Sequence, residues 1–299
     1  MQRILITGAT GAVGGAVVRR ALGRGMEVSC LVHRGSGRLG NLPQDACLSV
    51  VPCDLQDYRS MTLAGQYDAF FHLAWEKTAG PGRDDAETQA RNIQYTLDAV
   101  RLAHRCGCKV FVGAGSQAEY GVQSVDLTPG LSVRPESGYG IAKYAAGRLS
   151  ALLCKELGMR QCWVRILSVY GPGDGENSLI SYLVREFSAG RSPELSPCGQ
   201  LWDYLYADDA ADALLAVAER GKDGAVYPLG SGRGRRLSEY VEAVRAAVNP
   251  SVEVKYSARA YYPHQPMHLV ADLTALKEDT GFEPRTDFET GIRKTIDCL

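Results

Sequence analysis

Short apolar runs alternate along this chain with longer stretches whose apolar residues recur every three or four positions. Arg3–Thr7, with Ile4, Leu5 and Ile6 in succession, predicts a strand. Ala12–Arg24 follows with Val13, Val17 and Leu22 at helical spacing and meets Gly25 at its end. Glu27–Val32, Leu48–Pro52 and Asp68–Leu73 predict three further strands. Ala86–Cys106 predicts a long helix with Ile93, Leu97, Val100 and Leu102 as its buried stripe. Lys109–Gly113 predicts a fifth strand, Gly138–Leu157 a second long helix and Gln161–Leu167 a sixth strand. Strands that alternate with helices predict an α/β fold, a doubly wound parallel sheet covered on both faces.

After about residue 170 the pattern changes. Gly171-Pro172-Gly173, Ser192-Pro193 and Ser196-Pro197 raise the density of turn residues, and the elements shorten. The expected division is a nucleotide-binding domain over 1–170 and a smaller substrate lobe over 171–299, with some chain returning to the first domain. No internal repeat or low-complexity tract interrupts this order.

Composition narrows the class. At 299 residues, 45% hydrophobic and 22% charged, the chain reads as an ordinary globular protein. Lys plus Arg is 33 and Asp plus Glu is 34, so 33 − 34 leaves a net charge of −1. That balance attracts neither nucleic acid nor an anionic membrane. No apolar run approaches the ~20 residues of a membrane helix, and the first glycine comes too early for a secretion signal. Nine scattered cysteines, an odd number, are expected to be reduced thiols of a cytoplasmic protein. No metal site is expected. Cys106-Gly-Cys108 lacks a matching second ligand pair. His264 and His268 are four apart, but Pro263 and Pro266 argue for a loop.

Chemistry enters at the first turn. Thr7-Gly8-Ala9-Thr10-Gly11-Ala12-Val13-Gly14 joins the first strand to the first helix. Small residues there let the backbone turn tightly and approach a pyrophosphate, and the helix N-terminus offers free N–H groups. Tyr139 and Lys143 lie four apart on a predicted helix and so share a face. A free tyrosine is a poor base at neutral pH, and a neighbouring ammonium favours its phenolate. Ser116 falls just past the fifth strand, where doubly wound sheets place their sites.

These motifs together resemble the extended short-chain dehydrogenases/reductases, and within them the NAD-dependent epimerase/dehydratase group that acts on nucleotide sugars. Gly8-x-x-Gly11-x-x-Gly14 and Tyr139-x-x-x-Lys143 carry the resemblance, with Cys53-Asp54-Leu55, Phe71-His72-Leu73-Ala74, Asn92, Val164–Gly173, Asp203–Asp209, Tyr227–Gly232 and Gly281–Pro284. It implies a Rossmann sheet with a C-terminal substrate lobe. It implies Ser116 and Tyr139 as the groups on the substrate oxygen, and Lys143 as the group that tunes Tyr139 and holds the nicotinamide ribose. Gly8, Gly11, Ala12, Val13, Gly14, His33, Arg34, Asp54, Leu55, Leu73, Ala74, Lys77, Asn92, Lys143 and Leu167 are the implied cofactor contacts, and Gln117, Ser168 and Trp202 the implied substrate contacts. A homodimer through the two long helices is also implied.

Four departures bear on the reaction. The group's 4,6-dehydratases carry Asp-Glu directly after the catalytic hydroxyl residue, where this chain has Gln117 and Ala118, with Glu119 one residue later. Val32 stands in the place of the acidic residue that binds NAD ribose, followed by His33 and Arg34. A guanidinium suits a 2′-phosphate, so NADP(H) is expected ahead of NAD(H). Ser168 stands for an Asn. Trp202 stands for an Arg that commonly binds the substrate diphosphate. Two roles stay open for Trp202, stacking on a base or sugar and filling the interlobe core. Arg191, Arg233 and Arg235 read as surface charges that could also reach a diphosphate. The expectation is an NADPH-linked reductase of a keto group on a nucleotide-linked sugar. The alternatives are an NAD-dependent 4-epimerase and, in another class, a non-catalytic dinucleotide sensor.

Overall fold

A computed structural model describes residues 1–261 and 265–298. In chain order its elements are β1 (Arg3–Thr7), α1 (Ala12–Leu22), β2 (Glu27–Val32), β3 (Leu48–Pro52), β4 (Ala69–His72), α2 (Ala86–Arg105), β5 (Val110–Ser116), α3 (Gly138–Glu156), β6 (Arg160–Ile166), β7 (Ser168–Tyr170), α4 (Leu179–Ser188), β8 (Leu201–Trp202), β9 (Tyr204–Tyr206), α5 (Ala207–Arg220), β10 (Ala225–Leu229), β11 (Arg235–Arg236), α6 (Leu237–Val248), α7 (Thr274–Thr280) and α8 (Phe288–Ile296). Seven strands form one parallel sheet in the order β10-β6-β5-β4-β1-β2-β3. The order reverses between β1 and β4, so the crevice of a doubly wound sheet opens at their C-terminal ends.

Two apolar layers close the sheet. On one face α1 and α5 bury Val17, Val18, Leu214 and Val217 against Ile4, Ile6, Phe71 and Val112. On the other, Ala99, Val100, Leu102 and Ala103 of α2 and Cys154 of α3 cover Leu5, Phe70 and Phe111. Both faces are apolar, so these strands read as continuous runs rather than alternating ones. A third cluster joins α4, α6 and α8 through Leu183, Phe187, Val241, Val244, Phe288 and Ile292. Chain beyond residue 170 contributes to both parts: α5 and β10 build the sheet layers, whereas α4, α6 and α8 form the third cluster.

Two element ends move by two residues or more from the sequence reading, and one buried face changes. Helix α1 stops at Leu22 rather than Arg24, because the Gly23 N–H closes on Arg19 and Gly25 turns left-handed at φ +74°. Strand β5 runs to Ser116 rather than Gly113, in register with β6 from Val110↔Arg160 to Ser116↔Ile166. Its glycines are needed there: a Cβ on Gly113 or Gly115 would lie 2.3 or 2.4 Å from the Trp163 ring. Trp163 also fills the space a Cβ on Gly147 would take, 2.7 Å away, so α3 seats closely on the strand that ends in Ser116. In α2, Val100 and Leu102 are buried as expected, but Ile93 and Leu97 are only half-buried. Asn92, Thr96 and Ala99 face inward instead, because the helix turns polar groups toward His72 and the loop after β4.

The nine cysteines are free thiols, seven of them buried. His268 lies in a loop beside Asp126, with Nε2 at 2.7 Å from the carboxylate. Pro263 and His264 lie outside the described residues. Among the described residues no group of His, Cys, Asp and Glu could hold a metal ion, and no helix is long and apolar enough to cross a membrane.

Candidate active site

The first turn is shaped by three glycines doing two kinds of work. Gly8 is left-handed at φ +72°, and a Cβ there would strike the backbone of Leu73 and Ala74 at 2.7–2.8 Å. A Cβ on Gly14 would lie 2.1 Å from the Gly8 carbonyl oxygen. Gly11 is different: its nearest neighbour, the same carbonyl oxygen, would be 3.6 Å away. The protein leaves that side open. Gly11 is the N-cap of α1, with no side-chain cap and no acidic residue in the first turn. Ala12 and Val13 open the helix with N–H groups free to bind an anion, so the turn fits a dinucleotide pyrophosphate.

Next to it lies a cavity of about 450 Å³ that brings Gly8, His33, Asp54, Leu55 and Ala74 together with Val32, Cys53, Trp75 and Tyr95. Its β4 wall is held by a buried chain of polar groups. Thr7 Oγ1 accepts from the Leu73 and Ala74 N–H groups at 3.1 and 3.2 Å, so its own proton goes to His72 Nδ1 at 3.0 Å. His72 Nε2 then donates to Thr96 Oγ1 at 3.3 Å, and Thr96 donates to the Asn92 carbonyl at 2.9 Å. Burial, aided by the Lys143 charge, pushes the His72 pKa down to about 3. Asn92 is buried, and its amide takes both backbone groups of Glu76, at 3.0 and 3.1 Å. It therefore shapes the loop after β4. Lys77 is turned by a φ of +55° and bound to Asp85, the N-cap of α2.

Arg34 has partners of its own. Its guanidinium donates to Asp54 at 2.7 Å and to Asp57 at 2.5 Å, and its N–H also donates to Asp54. The backbone and side-chain bonds from Arg34 hold the Asp54 carboxyl below the usual range. His33 Nε2 lies 3.6 Å from the same carboxylate. Two carboxylates thus engage the Arg34 guanidinium.

Ser116, Tyr139 and Lys143 converge at the end of β5. Ser116 caps the turn that follows, with Oγ accepting from the Ala118 N–H at 3.2 Å. Ser137 caps α3, and Tyr139 and Lys143 lie in its first two turns. Burial raises the Tyr139 pKa, while the Ser116 hydroxyl and the Arg83 charge oppose the rise. Lys143 is 3% exposed, donates to the Ala114 carbonyl at 2.6 Å and lies 3.8 Å from the centre of the Trp75 ring. Burial pushes its pKa down to about 7, against the attraction of Glu119. Trp75 also meets Tyr139 edge-on at 6.0 Å, and Arg83 lies over the Tyr139 ring at 4.5 Å. The sequence reading missed both. Trp75 directly follows the Phe71–Ala74 motif and was within reach of it. Arg83 sits in a short 3₁₀ turn, Gly80–Asp84, that gives no periodic signal.

Glu119, the carboxylate nearest the dehydratase positions, faces inward. It is fully buried and accepts from the Ser116 N–H at 2.8 Å, Trp163 Nε1 at 2.9 Å and Arg165 Nε at 2.7 Å. With those bonds it fixes the backbone of Ser116 and has no free edge toward a substrate.

A second cavity, of about 560 Å³, is lined by Tyr182, Arg185, Gln200, Trp202, Arg259 and Tyr261 among others. Trp202 lines it while its indole N–H donates to Ser168 Oγ at 2.9 Å, so the Trp and Ser substitutions form one contact. The ring is half-buried between two apolar clusters. Gln200 is 4% exposed, and its Oε1 has no hydrogen-bond partner among the described residues. Gln117 is half-buried beside Ser116. Leu167 is buried, its N–H bonded to the Leu229 carbonyl. Arg191 and Arg235 are engaged by Glu186 and Glu289, and Arg233 lines a separate surface cavity.

Known proteins match this chain along nearly its whole length. A dTDP-glucose 4,6-dehydratase of Xanthomonas campestris is 27% identical over 99% of this chain and 93% of its own. A UDP-glucose 4-epimerase of Mycolicibacterium smegmatis is 26% identical over 99% and 98%. The solved UDP-N-acetylglucosamine 4-epimerase of Methanobrevibacter ruminantium superposes with a TM-score of 0.90 at 23% identity, covering 99% of this chain and 97% of that one. The family model that spans residues 4–230 has the glycine turn, the Tyr-Lys helix and the β4 motif in it, and the chain belongs to the NAD dependent epimerase/dehydratase family, whose members act on nucleotide sugars.

Proposed function

We propose that this protein is an NAD-dependent nucleotide-sugar 4-epimerase, working as a homodimer. One observation carries the choice of reaction: Ser116 and Tyr139 stand at the site while Glu119 is turned into the core and bound on both oxygens. Elimination of water needs an acid and a base beyond the tyrosine, and Gln117 and Ala118 supply neither. The pairing of Arg34 with Asp54 and Asp57 supports NAD over NADP, and with it a retained cofactor over an exchanging reductant.

NAD, held by the glycine turn and Lys143, would supply the hydride exchange with the sugar carbon. The protein's residues do the rest. Ser116 holds the sugar oxygen by a hydrogen bond. Tyr139 takes the hydroxyl proton as the carbonyl forms and returns it after the sugar has turned over. Lys143, on the same helix, would hold the nicotinamide ribose. Gly11 and the first turn of α1 take the pyrophosphate, and the cavity around Gln200 and Trp202 takes the nucleotide.

The test begins with the purified protein denatured and its released dinucleotide identified by mass spectrometry. NAD at one per chain is expected. UDP-glucose or UDP-N-acetylglucosamine, offered without added cofactor, should be converted to its 4-epimer. Tyr139→Phe should lower turnover by roughly 10²–10⁴-fold while leaving NAD in place. Bound NADP, or an empty site in a protein that consumes NADPH with a keto sugar nucleotide, would return the reading to a reductase.

A further inference from the structure

We infer that Arg83 is the positioning cation of Tyr139: its guanidinium lies face-on over the tyrosine ring and supports the phenolate, a role the Tyr-Lys spacing assigns to Lys143 alone. The inference rests on the proposed role of Tyr139. Arg83 Cζ is 4.5 Å from the ring centre, whereas Lys143 Nζ is 5.8 Å away. Lys143 is committed elsewhere, to the Ala114 carbonyl at 2.6 Å and the Trp75 face at 3.8 Å. The two cations differ in kind. Burial brings the Lys143 pKa to about 7, so its charge is partial near neutral pH. A guanidinium stays charged throughout that range.

The contact is built by the backbone. Gly138 N–H donates to Asp84 Oδ1 at 2.9 Å, tying the loop before α2 to the start of α3. A Cβ on Gly138 would lie 3.1 Å from the Arg83 carbonyl oxygen, so the glycine next to Tyr139 lets that loop approach. Arg83 Nη1 donates to the Thr78 carbonyl at 3.3 Å, which aims the side chain. Four charged or polar groups act on the phenol. Arg83 acts from the loop, Lys143 from its own helix, and Ser116 and Glu119 from the end of β5. Arg83 and Ser116 favour ionisation, and Glu119 opposes it. No salt bridge engages Arg83 among the described residues, so its charge is not neutralised there.

The experiment titrates Tyr139 without any substrate. The whole protein is made with Cζ-labelled tyrosine, and the Tyr139 signal is assigned by its loss in Tyr139→Phe. Arg83→Gln should raise the Tyr139 pKa by about half a unit to one unit, and Arg83→Lys should restore most of that shift. Arg83→Met, which keeps the stem over the ring, should behave like Arg83→Gln. An unchanged pKa in Arg83→Gln overturns the inference. So does an equal shift in the Gln and Lys variants, which would show that packing and not charge is responsible. The readout needs no turnover, so it fails or succeeds separately from the epimerase reading.

Discussion

His72 links the stability of the sheet to the shape of the site. It is 3% exposed, accepts from Thr7 and donates to Thr96, so the neutral ring is the form that folding selects. Its pKa is about 3 in the folded protein, well below the ~6.5 of an unfolded chain. Between those values the unfolded state binds the extra proton. The stabilising contribution is therefore complete above about pH 6.5 and is lost as the pH falls toward 3, by about 1.4 kcal/mol per unit. At about pH 5 roughly 2 kcal/mol should be gone. Denaturant unfolding of the wild type and His72→Gln should show a gap that narrows by that amount between about pH 7 and pH 5. A constant gap would mean that the ring is protonated, or exposed, in the folded state. At this scale the sequence is a good guide to residues held by a short motif. Ser116, Tyr139 and Lys143 stand together as the spacing implied, but the partners of Arg34 were out of sight. Asp54 and Asp57 lie 20 and 23 positions further along the chain and reach Arg34 only because β3 pairs with β2.

The turn from β1 to α1 shows the same division within one element. Its glycines look alike in sequence, yet the structure gives them separate duties. Gly14 lets the helix backbone pass the Gly8 carbonyl, where a Cβ would sit at 2.1 Å. Gly14→Ala should therefore destabilise the protein by about 2 kcal/mol, because backbone must move to admit the methyl. Gly11 has room on the protein side, with its nearest contact at 3.6 Å. Gly11→Ala should leave the unfolding midpoint within about half a kcal/mol of wild type and weaken dinucleotide binding tenfold or more, since the methyl enters space meant for the pyrophosphate. Denaturant melts and titration calorimetry on both variants separate the two duties. If Gly11→Ala binds NAD as tightly as wild type, the pyrophosphate does not cross that residue. Element type was legible because the runs of the central strands face two apolar layers and the long segments one, whereas β3, at the sheet edge, has no buried residue. The ends of elements were less so. The extension of β5 to Ser116 depends on Trp163, which fills the volume that Gly113, Gly115 and Gly147 leave, and no local pattern announces a contact across strands.

At the scale of the molecule, the two long helices leave apolar surface uncovered. On α3, Ile141 is 53% exposed, Leu149 42% and Leu152 67%. Beside it on α2, Ile93 and Leu97 are half-buried, although the periodicity had placed them in the core. The periodicity was reading two faces at once: an inner one of Asn92, Thr96, Ala99 and Ala103 against the sheet, and an outer one that the described residues cover only in part. Apolar side chains spaced along a helix in this way are better buried against a second copy than left in water, and a two-fold contact would set α2 and α3 of each chain against their mates. The proposed homodimer follows from that face. Light scattering coupled to size-exclusion chromatography should give twice the chain mass of 32.3 kDa at micromolar concentration. Leu152→Glu should shift it to the monomer, because each dimer would carry two carboxylates into an apolar seam at a cost of several kcal/mol. Tyr139 and Lys143 lie on the same helix as this face, so loss of the partner should also lower NAD retention by loosening α3. A wild-type chain that elutes as a monomer, or a Leu152→Glu chain that remains a dimer, would move the contact away from these helices.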